Sequence, residues 1–230
     1  MTPITIVSLG SGEPEDITLR AYWALQDVER IYAIGEAAVE IIRALPSGAL
    51  LEKKVTILSV PMQSDRRAAA SAYEALAGQL EADCLADIST ALVTIGDAGT
   101  YSSAGYVCRL LRERDMPHFI LPGIPYYMTL PACLSRPLVL GEQSLLVLSR
   151  VESAEQLREA IDRDRVVVVM KLSRSEEAVR DFLRTDPPVS IPYGEYIGDE
   201  DRELVTDSLR SLPETPFPYF SLLIIKPSTR

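Results

Sequence analysis

Two rhythms alternate along this chain. Short, nearly continuous apolar runs recur, and each is followed by a longer stretch with apolar residues every third or fourth position. The first run ends at Gly10, and ITLRAYWALQDV follows with helical spacing at Ile17, Tyr22, Leu25 and Val28. RIYAI and EAAVEIIRAL repeat the pair, and VTILSV with DRRAAASAYEALAGQLEADC repeats it again. STALVTIGD, SSAGYVCRLLRER and HFILPG complete a predicted set of five strands and their connecting helices. Apolar strands that alternate with helices must be covered on both faces. The pattern therefore predicts an α/β fold whose N-terminal part is a mainly parallel five-stranded sheet with helices on both sides.

After Gly123 the texture changes. PYYMTLPACLS predicts a short helix interrupted by Pro131. LLVLS predicts a strand, ESAEQLREAIDR a helix, and RVVVVMKL a buried β-branched strand. SEEAVRDFLR predicts a helix, VSIPYGEYI one strand, DRELVTDSLRSL a helix and YFSLLIIK a closing strand. The break at PGIP predicts an N-terminal α/β domain over 1–122 and a C-terminal α/β domain with a mixed sheet over 123–230. The chain has no internal repeat and no low-complexity segment.

Composition narrows the function classes. The 230 residues suffice for a large core, and 47% hydrophobic with 24% charged residues is ordinary for a globular protein. No apolar run approaches the roughly 20 residues that span a bilayer. The start, MTPITIVSLGSGEPED, has neither a basic region nor a small-residue cleavage site. The expectation is a cytoplasmic protein with no membrane partner. Lys plus Arg number 23 and Asp plus Glu 33, giving a net charge of −10, which disfavours nucleic acid as a partner. Cys84, Cys108 and Cys133 are far apart and read as reduced, mostly buried thiols. With His118 the only histidine, no metal site is expected.

Two glycine loops carry the candidate chemistry. In LGSGEPEDIT, Gly10 and Gly12 permit a tight turn, and Glu15 or Asp16 suits a helix start. A dinucleotide loop would need G-x-G-x-x-G, but Glu15 stands at the third glycine, and a pyrophosphate would meet Glu13, Glu15 and Asp16. Glu36 alone favours that reading, as a ribose ligand. TIGDAGTYSS places Gly96, Asp97 and Gly99 at the carboxyl end of a parallel strand, where open α/β sheets bind ligands. By itself this segment reads equally well as a polar turn before a helix capped by Ser102 or Ser103.

Four segments together are more specific. They are Gly10-Ser11-Gly12 with Asp16-Ile17-Thr18-Leu19, then Gly96-Asp97-Ala98-Gly99-Thr100-Tyr101-Ser102, then Pro122-Gly123-Ile124-Pro125-Tyr126, then VVVVMK ending at Met170 and Lys171. In this order, over nearly the whole length, the chain resembles the tetrapyrrole methylase family, the class III S-adenosylmethionine methyltransferases. Pro61-Met62, Tyr101-Ser102, Met170-Lys171 and the PYFS of Pro218 to Ser221 are most similar to its precorrin-2 or cobalt-factor II C20-methyltransferase subgroup. The chain departs from the family pattern at three points. The first loop is two residues short, Ala98 replaces a proline, and Pro125 replaces a Ser or Thr. Proline has no hydroxyl and no N–H, so a cofactor contact through either is not carried over.

The resemblance implies an S-adenosylmethionine-dependent C-methyltransferase acting on a tetrapyrrole in cobalamin biosynthesis, and a homodimer. It places the cofactor in a cleft between two domains, the first on the side of the substrate trough, the second supplying most cofactor contacts. The cofactor residues it implies are Gly12, Gly96, Asp97, Ala98, Thr100, Tyr101, Pro125, Tyr126, Met170, Ile197 and Ser221. Asp97 and Tyr101 are candidates, by position, for removing the ring proton; both read equally as shaping the loop. A substrate with many carboxylates needs a local basic patch on this acidic protein. Arg66, Arg67, Arg109, Arg136 and Lys171 are candidates for it, each also readable as a solvated surface charge. Tyr126 and Tyr127 read as substrate stackers or as core. Three alternatives stay open: another family member with a different ring carbon, uroporphyrinogen, or a protein or RNA as its substrate; a non-catalytic module that senses the cofactor; and a nicotinamide oxidoreductase.

Overall fold

The computed structural model describes residues 1–58, 66–161, 165–199 and 201–227. The chain divides into two compact units, Met1–Tyr126 and Tyr127–Arg230. The first contains β1 (Ile4–Ser8), α1 (Leu19–Asp27), β2 (Arg30–Ile34), α2 (Glu36–Ala44), α3 (Gly48–Leu51), β3 (Val55–Leu58), α4 (Arg66–Leu85), β4 (Thr90–Thr94), α5 (Ala104–Glu113) and β5 (His118–Leu121). Its sheet has the order β3-β2-β4-β1-β5, and every pairing is parallel.

The two-residue period of the strands sorts this core into two layers. Val7, Ile31, Ala33, Ala91 and Val93 face Ala21 and Leu25 of α1 and Val39 and Ile42 of α2. Ile4, Ile6, Tyr32 and Leu92 face Leu76 and Leu80 of α4 and Val107 and Leu111 of α5. The chain moves outward from β1 to β2 to β3 over one face, then returns through β4 to β5 over the other. Right-handed crossovers in opposite directions require opposite faces, so topology and burial agree. The order differs from the 3-2-1-4-5-6 order of dinucleotide folds, which removes the structural support for the nicotinamide reading. Glu36, its one favourable residue, pairs with Arg43 within α2 at 3.0 Å.

α6 (Tyr126–Cys133) leads into the second unit, which adds β6 (Ser144–Leu148), α7 (Ala154–Ile161), β7 (Arg165–Met170), α8 (Glu176–Leu183), β8 (Val189–Ser190), β9 (Tyr193–Glu195), β10 (Leu204–Thr206) and β11 (Ser221–Pro227). The sheet runs β10-β9-β11-β7-β6, with β6 and β7 parallel and the other neighbours antiparallel. Val167, Val169, Leu223 and Ile225 pack against Leu157 of α7 and Val179 and Phe182 of α8. Among the described residues, no helix is long and apolar enough to cross a membrane.

Three local expectations are corrected. DRELVTDSLRSL is not a helix but β10 followed by a 3-10 turn at Leu209–Ser211. Leu204, Leu209 and Leu212 do pack on the core, yet their spacing of five and three fits no single helical face. The β-branched pair Val205 and Thr206 instead extends the sheet along β9. VSIPYGEYI forms two strands because Pro192 cannot donate; its carbonyl still accepts from the Ile224 N–H at 2.8 Å, so both pieces stay on β11. Pro131 does not interrupt α6, which runs unbroken to Cys133. Cys84 and Cys108 are buried, whereas Cys133 is exposed.

Candidate active site

The strand order brings the carboxyl ends of β4, β1 and β5 side by side, and the loops that leave them are knitted together. The Leu9 N–H donates to the Thr94 carbonyl at 2.9 Å, and the Gly10 N–H to the Gly96 carbonyl at 3.2 Å. Gly10 (φ +81°) and Gly96 (φ +76°) sit in the left-handed region that L side chains rarely adopt. A Cβ on Gly10 would lie 2.7 Å from the Asp16 carbonyl oxygen, so the first loop closes only around glycine. Gly123 is equally constrained by space: a Cβ there would lie 2.6 Å from Ser8 Cβ and 3.0 Å from the Gly96 carbonyl.

Side chains complete the lattice. The buried Ser8 Oγ accepts from the Ala98 N–H at 2.9 Å, tying β1 to the second loop. Ser11 donates to the Asp16 carboxylate within the first loop. Thr94 Oγ1 and Ser102 Oγ lie 2.8 Å apart, and Ser102 Oγ accepts from the Ala104 N–H at 3.1 Å at the start of α5. Asp97 is the centre of the arrangement. Its Oδ1 accepts from the Gly99 N–H and from Thr100 Oγ1, each at 3.0 Å, and its Oδ2 accepts from the Gly123 N–H at 3.0 Å. One carboxylate thus joins the second loop to the third.

Gly12 (φ +139°) continues the first loop, and Tyr101, 46% exposed, is held in the left-handed region at φ +51°. Pro125 and Tyr126 follow Gly123 on the third loop, the Tyr126 nitrogen lying 3.8 Å from where a Gly96 Cβ would be. Gly12, Gly96, Asp97, Ala98, Thr100, Tyr101, Pro125 and Tyr126 are therefore carried on one group of interlinked loops.

Met170, Ile197 and Ser221 form a separate group in the second unit. Met170 ends β7 opposite Leu222, and Ser221 begins β11 opposite Glu195. Ile197 folds back over β9, where a Cβ on Gly194 would lie 2.7 Å from its Cδ1. All three side chains are buried, and the Ser221 hydroxyl donates to the Pro218 carbonyl at 2.6 Å. Beneath them Tyr193 donates to Glu195, and burial, then that bond, raises its phenol well above the ordinary tyrosine range.

The candidate basic residues lie on separate elements. Arg109 lies five residues into α5, about 7.5 Å along the axis from its start, and pairs with Glu113 at 3.7 Å. Arg136 pairs with Asp207 at 2.7 Å in the second unit. Arg67 lies in the first turn of α4; the Arg66 side chain and Pro61-Met62 lie outside the described residues. Sequence reasoning misses Ser8, because one small polar residue inside an apolar strand reads as filler. The signal that could have found it is its place two residues before the loop glycine Gly10.

A family model of the tetrapyrrole (corrin/porphyrin) methylases matches residues 3–213 of the chain. The chain belongs to this family. Tetrapyrrole methylases take their methyl group from S-adenosylmethionine, which makes this member a methyltransferase. It is 29% identical over 227 residues to the probable cobalt-precorrin-2 C(20)-methyltransferase of Methanocaldococcus jannaschii, covering 96% of this chain and 94% of that one. It is 26% identical over 174 residues to the cobalt-precorrin-2 C(20)-methyltransferase of Salmonella typhimurium, covering 72% and 71%. Among solved structures, the cobalt precorrin-4 methyltransferase CbiF superposes with a TM-score of 0.71 at 13% identity, over 97% of this chain and 94% of that one. The methyltransferase CobJ gives 0.69 at 18% identity, over 99% and 95%. At such identities these two matches establish that this methylase shares their fold.

Proposed function

We propose that this methylase transfers the methyl group of S-adenosylmethionine to C20 of precorrin-2 or its cobalt complex, a step of cobalamin biosynthesis. The observation that carries this reading is the end-to-end likeness to a C20-methyltransferase, with 96% of this chain aligned to 94% of the relative.

The residues present fit the cofactor. Gly99 leaves exposed backbone on the second loop, where a ligand can approach closely. Carbonyl oxygens and the Asp97 carboxylate offset the desolvation of a sulfonium cation. Pro125 offers neither hydroxyl nor N–H. The Asp97 bond to the Gly123 N–H fixes that turn instead, so the departure at Pro125 is compatible with binding. Met170, Ile197 and Ser221 of the second unit are the further cofactor contacts that the family resemblance implies.

The sulfonium brings its own electrophilicity, so the chain's task is alignment and exclusion of water. Three donors already occupy Asp97, which makes it a positioning residue. Tyr101 keeps the candidate role of accepting the ring proton. The protein acts as a homodimer in the cytoplasm in this reading.

The test is anaerobic incubation with S-adenosylmethionine and precorrin-2, with and without cobalt in the ring, followed by mass spectrometry. One added methyl at C20 supports the reading, and its dependence on cobalt identifies the true substrate. Binding of S-adenosylhomocysteine without product would replace it with a different substrate or a sensing module. Absence of both would overturn it.

A further inference from the structure

Residues 212–220, which lead into β11, form neither helix nor strand. Pro213, Pro216 and Pro218 donate no N–H, so this segment cannot knit itself into a ladder. Side chains of α8 hold it instead. The Arg180 guanidinium donates through Nη2 to the Pro213 carbonyl at 3.2 Å and to the Thr215 carbonyl at 2.7 Å. Its central carbon lies 4.3 Å from the Phe217 ring centroid. Glu176, one turn earlier on α8, accepts the Phe217 N–H at 2.8 Å with one oxygen and Arg180 Nε with the other. Phe217 is thus gripped by backbone and by ring, and it is buried against Tyr193, with centroids 5.6 Å apart. A planar fork that bonds two carbonyls and stacks on a ring is arginine chemistry that lysine does not reproduce.

Beyond this clamp, the same segment holds the neighbours of the residues implied for the cofactor. The Phe220 carbonyl accepts the N–H of Tyr196, next to Ile197, at 2.9 Å. The Ser221 carbonyl accepts the N–H of Lys171, next to Met170, at 2.9 Å, and the Ser221 hydroxyl donates to the Pro218 carbonyl at 2.6 Å. Tyr196 (φ +47°) and Lys171 (φ +57°) both sit in the left-handed region, which L residues keep only where their surroundings enforce it. Here the enforcement includes side chains: Lys171 Nζ lies 5.5 Å from the Tyr219 ring centroid, and the Tyr196 ring 6.3 Å from that of Phe220. Both turns are therefore set by where the segment lies, and Arg180 and Glu176 set where it lies.

We propose that Arg180 and Glu176 are positioning residues for the methyl donor: by clamping residues 213–217 they fix the turns at Lys171 and Tyr196, and with them Met170, Ile197 and Ser221. The proposal rests on the reading of those three residues as cofactor contacts.

The test uses the full chain, the variants Arg180→Gln, Arg180→Lys and Glu176→Gln, and the control Leu157→Ala. The control opens the same core from α7. S-adenosylhomocysteine is titrated by calorimetry, and thermal unfolding by circular dichroism ranks the stabilities. Arg180→Gln should bind S-adenosylhomocysteine roughly tenfold more weakly. Arg180→Lys, which keeps the charge beside Glu176, should recover part of that loss. In turnover, KM for S-adenosylmethionine should rise while kcat holds. Leu157→Ala should lose stability and keep its affinity. If Arg180→Gln does not fold, Arg180→Lys and Glu176→Gln decide by the same comparison. Wild-type affinity in the Arg180 and Glu176 variants would overturn the proposal and leave the methyltransferase reading intact. Equal weakening in Leu157→Ala would overturn it too, by reducing the clamp to general stability, and so would a fall in kcat with KM unchanged. A wild-type chain that binds no S-adenosylhomocysteine would sink the cofactor reading, and this proposal with it.

Discussion

Asp97 holds Gly123. The carboxylate at the carboxyl end of β4 accepts the N–H of a residue 26 positions later, at 3.0 Å, while its other oxygen fixes its own loop. Replacing Asp97 with Ala should release the third loop from the second and weaken S-adenosylhomocysteine binding about tenfold or more. Asp97→Asn, which keeps one acceptor oxygen, should lose less. Calorimetric titration of both variants checks this. A variant that binds normally but shows a shifted pH–rate profile would instead make Asp97 the base.

Gly123 has no room for a methyl group against Ser8 and the Gly96 carbonyl. Gly123→Ala should therefore destabilise the first unit by about 1–3 kcal/mol, the usual cost of overpacking. Urea denaturation followed by circular dichroism measures it. Stability equal to wild type would mean that the loops can shift apart without cost.

Ser8→Ala removes the acceptor of the Ala98 N–H, whose residue is only 2% exposed. A buried donor left without its partner costs about 1–3 kcal/mol. Thermal unfolding should show the loss, and S-adenosylhomocysteine binding should weaken with it, because Ala98 belongs to the proposed cofactor loop. A change in stability alone would separate Ser8 from the site.

Tyr193 supplies a pH signature. Burial favours its neutral phenol in the folded state, so the folded pKa lies above the unfolded value near 10. The native state then holds a proton that the unfolded chain releases. This contribution is complete below about pH 10 and shrinks above it, by up to about 1.4 kcal/mol per pH unit. Tyr193→Phe should lose stability less steeply than wild type between pH 10 and 11 in denaturant titrations, and parallel curves would contradict the assignment.

The first unit was legible because its signals agree: apolar runs, helical spacing and glycine punctuation all predict one parallel sheet. Gly10, Gly96 and Gly123 were likewise legible as loop residues. What they touch was not. The contact between Gly123 and Ser8 follows from β5 pairing with β1, a long-range choice that no local pattern encodes. The same applies to Lys171 and Tyr219, brought together by the antiparallel pairing of β7 with β11. β10 was misread for a related reason: three short residues gain their conformation from β9, and pairing outweighed weak local spacing.

β1 precedes the other strands of the first unit, yet its partners Ala91 and His118 come from much later segments. On the ribosome it can only wait. The loop at Gly10 has nothing to close against until β4 has emerged, and Gly123 cannot settle on Ser8 until β5 has followed. The interlinked glycine loops and the sheet of the first unit are thus completed together.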